Sequence, residues 1–137
     1  MAAAIMGATA FQKGLGAIHA LSHPISALYD THHGMTNAIF TPYVLMFNKN
    51  AVEDRLSHIA RYLALPSPSF TGIVDWILDL RERFQIPHSA SELGIEFERI
   101  DEIAAMAAAD PTASTNPVPV NATKIRSIYT AALNGLL

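Results

Sequence analysis

Residues 14–34 read GLGAIHALSHPISALYDTHHG, and they hold four of the six histidines in the chain. His19, His23, His32 and His33 are set here among glycines, alanines and leucines. Ala17 to Tyr29 has helical spacing, with Pro24 inside it, which predicts a bend or break near His23. His19 and His23 stand four residues apart, so a regular helix would put them on one face, about 40° from one another. That spacing lets two imidazoles reach one metal ion. His33 follows across the short connection Asp30-Thr31-His32-His33-Gly34, which can fold back. Neutral imidazole suits iron, zinc, nickel and copper. A purely structural origin for the cluster, as an unusual core segment, fits the local pattern equally well. Gly14, Gly16 and Gly34 permit close approach of the backbone to a ligand, and they serve turns just as well. His32 adjoins His33, so the two side chains diverge. His58 and His88 have no chemical neighbour in sequence and read as core or rim residues.

Outward from this stretch, the rest of the chain also repeats at helical spacing, and no alternating strand pattern stands out. Helices are predicted over 1–12, 17–29, 36–48, 52–63, 70–84, 97–109 and 123–133, with Pro42 a kink in the third. In the fifth, Ile73, Ile77, Leu80 and Phe84 share a face that Val74, Trp76 and Leu78 widen, and Asp79 can pair with Arg83. The Pro66-Ser67-Pro68-Ser69 tract, Pro87 and Asp110-Pro111 act as breakers. Residues 111–120 read as an ordered surface connection, Asn121 or Thr123 as an N-cap, and Gly135 as a C-cap. The fold class is therefore all-α, a bundle of about seven helices in a single domain over residues 1–137.

Composition narrows the function. Half the residues are hydrophobic and 15% are charged, against roughly 25% charged in an average soluble domain. Such a chain is expected to have part of its surface covered by another domain or a second copy, as in a homo-oligomer. The net charge is −3 and no Lys/Arg-rich run occurs, so no nucleic-acid partner is expected. The absence of cysteine excludes disulfides and thiol catalysis and suits a cytoplasmic setting. The apolar start lacks a basic segment before it, and no run of about 18 apolar residues occurs, so neither export nor a membrane span is expected. The abrupt apolar beginning reads as an entry point into a longer chain.

Residues 7–48, GATAFQKGLGAIHALSHPISALYDTHHGMTNAIFTPYVLMFN, resemble the histidine signature of the iron-dependent (group III) alcohol dehydrogenase family. The likeness continues in ERFQIPHSASELGI (82–95) and in ASTNPVPVNATKIRSIYTAAL (113–133). The resemblance implies part of the all-α, metal-binding C-terminal domain of a two-domain enzyme related to dehydroquinate synthases. Such an enzyme also has an N-terminal domain that binds NAD or NADP. By that resemblance His19 and His33 are metal ligands, for Fe²⁺ or alternatively Zn²⁺ or Ni²⁺. His23 lies instead near nicotinamide and substrate and serves catalysis or proton transfer.

The reaction so implied is reversible hydride transfer between a small primary alcohol or its aldehyde and the nicotinamide. The family's two other ligands, an Asp and a His four apart, have no counterpart before residue 14, and no glycine-rich phosphate-binding segment is present. Gly14-Leu15-Gly16 lacks the GxGxxG spacing and does not follow a strand. The chain alone is therefore expected to be inactive, with the nucleotide-binding domain missing. Two other readings stand beside this one: a stand-alone helical interaction or oligomerisation module with an idle histidine cluster, and a relative such as a maleylacetate reductase or hydroxy-acid dehydrogenase.

Overall fold

Side-chain caps set where several helices begin. A computed structural model describes residues 1–137, apart from the side chain of Ala3. His32, Ser69 and Asn121 accept hydrogen bonds from the backbone N–H groups of Met35, Gly72 and Lys124. Each satisfies an amide that a first helical turn leaves unpaired. The α-helices are α1 (Ala2–Phe11), α2 (Gly16–Tyr29), α3 (His33–Tyr62), α4 (Phe70–Arg83), α5 (Ile100–Ala109) and α6 (Ala122–Asn134). Short 3-10 turns occupy Ala90–Leu93, Phe97–Arg99 and Pro111–Thr115. The all-α reading holds, and Gly135 closes α6 in the left-handed conformation as expected.

Two expected helices are one. The spans 36–48 and 52–63 lie within the continuous α3, and Pro42 sits buried inside it. Asparagine weakens a helix when its side chain competes with the backbone, but the buried Asn48 amide bonds Asn116 instead. The helix continues through Asn48-Lys49-Asn50. The break predicted near His23 is also absent, because α2 runs through Pro24. Beside it, Tyr129 of α6 donates its phenol to the Leu21 carbonyl at 2.5 Å and ties the helix down there.

The core is built by α2, α3, α5 and α6. Leu21 and Ile25 meet Ile39, Phe40 and Val44 of α3, Ile103 and Ala107 of α5, and Ile125 and Tyr129 of α6. The Phe40 and Tyr129 rings meet edge to face, with centroids 5.3 Å apart. On α6, Ile125, Ile128, Tyr129 and Ala132, which helical spacing puts on one face, are all buried. On α4, Ile73 and Val74 are buried, whereas Trp76 and Phe84, assigned to the same face, stay exposed. Helix α1 makes no extended packing with the other helices, and Ile5, Met6 and Phe11 on it are exposed. Among the described residues no helix is long and apolar enough to cross a membrane.

Candidate functional site

Two chain segments bring the predicted residues together. His19 and His23 lie on consecutive turns of α2, and His33 opens α3 after the connection folds back, as Asp30 turns in the left-handed conformation. The three rings form a cluster. His19 and His33 have centroids 5.2 Å apart, and His19 and His23 stand 5.9 Å apart, edge on. His23 and His33 stack at 5.3 Å. His32 stands apart, with its Nδ1 engaged in capping α3.

Within this cluster the roles divide. Asn37, one turn after His33, places its amide nitrogen 3.3 Å from His19 Nε2 and 3.0 Å from His33 Nε2. An amide N–H donates, so both ring atoms offer lone pairs, and those lone pairs converge on one place. His23 is engaged elsewhere: its Nδ1 lies 2.8 Å from Asp110 Oδ2. Spacing alone could not choose between His19–His23 and His19–His33 as a ligand pair.

The electrostatics of His19 fit cation binding. Burial, and then the neighbouring His33 and His23 rings, lower the pKa of His19 below its ordinary value, which favours the neutral form that ligates a metal. The Leu15 carbonyl works in the opposite direction, although no well-formed hydrogen bond reaches the buried His19 Nδ1. Asn37 Oδ1 is likewise buried without a partner. Buried polar atoms without partners are uncommon in a finished site, and they fit one completed by a further group. The donor set is incomplete in this chain: among the described residues no group of three or more His, Cys, Asp or Glu could hold an ion.

A distant segment fastens α2 in place. Thr115 Oγ1 accepts from Gly16 N–H at 3.0 Å, and Asn116 Oδ1 accepts from Ala17 N–H at 3.1 Å. Gly14 and Gly16 have φ of +101° and +67°, and a Cβ on Gly14 would lie 2.4 Å from Thr115 Cβ. These glycines admit a protein segment rather than a ligand. Residues 111–120 are therefore more than a surface connection, since their first turn packs along the histidine helix.

The Asp110 side chain at the head of this segment is 15% exposed. Its Oδ1 accepts from Thr112 N–H at 2.8 Å and from the Thr112 hydroxyl at 2.5 Å. Burial pushes the Asp110 carboxyl up, but the Thr112 and His23 hydrogen bonds outweigh it and hold it below its ordinary value. Sequence reasoning passed over Asn37 and Asp110. The first had a usable signal in its four-residue spacing from His33; the second read only as a helix stop.

Two imidazole lone pairs aimed at one point in a helical body are a donor pair of the kind that ligates a cation. Residues 1–133 match the family described as Fe-containing alcohol dehydrogenase family, C-terminal, and the chain belongs to that family as its C-terminal domain. It is 35% identical over 135 residues to 4-hydroxybutyrate dehydrogenase of Cupriavidus necator, covering 92% of this chain and 35% of that protein. The structure of a 1,3-propanediol oxidoreductase superposes with a TM-score of 0.81 at 28% identity, covering 86% of this chain and 32% of that one. Maleylacetate reductase from Rhizobium sp. strain MTP-10005 gives 0.70 at 30% identity, covering 90% and 33%. The chain thus spans about a third of the length of such relatives.

Proposed function

We propose that this chain is the metal-holding helical part of an NAD(P)-linked dehydrogenase that interconverts a primary alcohol and its aldehyde. His19 and His33 would be two of the protein's ligands to Fe²⁺, or to Zn²⁺ or Ni²⁺. The carrying observation is the approach of both Nε2 atoms to within 3.3 Å of the one Asn37 amide nitrogen. When bound, such a cation would supply Lewis-acid charge and a nicotinamide on the rest of the enzyme would supply hydride-transfer chemistry. This chain's own contribution is to hold two neutral imidazoles in place, to exclude water from the apolar side of α2, and to set His23 beside them as the group that moves the proton. The names 4-hydroxybutyrate dehydrogenase and 1,3-propanediol oxidoreductase both denote action on a terminal hydroxyl, which favours a primary alcohol here. The exposed Ile5, Met6 and Phe11 of α1 fit a surface covered by the remainder of such an enzyme.

The test is calorimetric titration of the chain with Zn²⁺ and Ni²⁺. One ion per chain is expected, lost in His19→Ala and in His33→Ala and kept in His23→Ala. Loss in His23→Ala with retention in His33→Ala would overturn the ligand assignment. Addition of a primary alcohol, NAD(P)⁺ and Fe²⁺ to the chain alone is expected to give no turnover above the buffer rate.

A further inference from the structure

We propose that Asp110 is the positioning residue for His23: its carboxylate, gripped by Thr112, keeps the ring proton on Nδ1 and leaves Nε2 as the free lone pair. This rests on the reading of His23 as the proton-moving group, and it deepens that reading by assigning the atom that moves the proton.

The argument starts from the donor inventory. An ionised carboxylate only accepts hydrogen bonds, so at 2.8 Å the imidazole must donate from Nδ1. A neutral ring with its proton on Nδ1 has none on Nε2. Among the described residues no other polar atom bonds the His23 ring, and its side chain is 40% exposed, so the edge opposite Asp110 stays open.

An exposed ion pair would not hold a tautomer, because two long mobile side chains rarely keep one geometry. This pair is built differently. Both Asp110 oxygens are in use, Oδ1 by the two Thr112 donors and Oδ2 by His23. The same short segment also takes the Gly16 and Ala17 amides through Thr115 and Asn116. Carboxylate and histidine helix are thus held against each other at three points along α2, from its first turn to His23.

Asp110→Asn gives a sharp consequence. The Thr112 N–H can only donate, so it keeps the amide oxygen on its own side. The amide NH₂ must then face His23 Nδ1, where two donors cannot meet. The imidazole is driven to the opposite tautomer, with its proton on Nε2. Replacement of the carboxylate by an amide beside a catalytic histidine is known to leave the wrong tautomer in serine proteases.

The experiment is long-range ¹H–¹⁵N correlation of the imidazoles in the metal-free chain, under mildly alkaline conditions. His23→Gln identifies the His23 signals. The wild type is expected to show Nδ1 protonated and Nε2 unprotonated, by roughly tenfold or more, the reverse of what free histidine prefers. Asp110→Asn is expected to invert the pattern, and Asp110→Ala to return it toward that of free histidine. A purely structural carboxylate would move the fold's stability and leave the tautomer alone. A wild-type ring protonated on Nε2, or a folded Asp110→Asn chain with an unchanged pattern, would overturn the proposal. If Asp110→Asn does not fold by circular dichroism, the wild-type pattern decides. No metal takes part, so failure here is distinguishable from failure of the ligand assignment by titration.

Discussion

Asn116→Ala is expected to be among the most destabilising polar substitutions in this chain. The Asn116 amide makes four contacts. Its oxygen accepts from Ala17 N–H at 3.1 Å and from Asn48 Nδ2 at 2.9 Å. Its nitrogen donates to Asn48 Oδ1 at 2.8 Å and to the Val118 carbonyl at 2.7 Å. Ala17 and Asn48 are 1% and 4% exposed, so their stranded groups have little access to water. The Val118 carbonyl, at a half-exposed position, can turn to solvent. Each buried group left without a partner costs about 1–3 kcal/mol. Three such groups, with some relief as the segment loosens, give a loss of about 3–5 kcal/mol. Urea unfolding followed by far-UV circular dichroism measures it, with an unchanged denaturant slope. The pair Asn48→Ala and Asn116→Ala removes both amides together. The double variant should therefore lose less than the sum of the two singles, by about 1–3 kcal/mol. A loss below about 1 kcal/mol for Asn116→Ala, or strict additivity in the double variant, would refute the account of this segment as the fastening of α2 and α3.

Three further outcomes are expected. Gly14→Ala forces a Cβ into Thr115 at a φ that side chains avoid and should cost about 2 kcal/mol or more by the same unfolding assay. Tyr129→Phe removes the buried hydrogen bond to the Leu21 carbonyl, with a loss of about 0.5–1.5 kcal/mol. In the native chain burial, and then Asp110, raise the Tyr129 phenol above its ordinary value of 10.0. Its contribution is therefore complete below pH 10 and declines as pH rises further, so ultraviolet titration should show one phenol that ionises only when the chain unfolds. Asp101→Ala breaks the exposed pair with Arg126 and should change stability by less than about 1 kcal/mol, which makes it the control for the buried substitutions.

What the sequence disclosed follows the range over which its signals act. Helix periodicity and caps are local, and Ile125, Ile128, Tyr129 and Ala132 fell where their spacing put them. Where local chemistry was overruled, tertiary bonds lie alongside. Asn48 no longer marks a break once Asn116 takes its amide, and α2 runs past Pro24 with Tyr129 bonded beside it.

The histidines divide along the same line. His19 and His33 could be named from the family likeness, but which imidazole His19 pairs with was ambiguous from spacing. The three rings all lie within 5.9 Å of one another, and only their partners tell them apart. Asn37 was within reach of a helical argument because it shares a face with His33. Asp110 was not. Its partner lies 87 residues away, and an Asp-Pro pair after an alanine-rich helix already has a sufficient local explanation as a stop signal. A residue that satisfies a local rule leaves no anomaly to follow up. Only the fold shows that the carboxylate ending α5 also reaches the ring on α2, so the same side chain does both jobs.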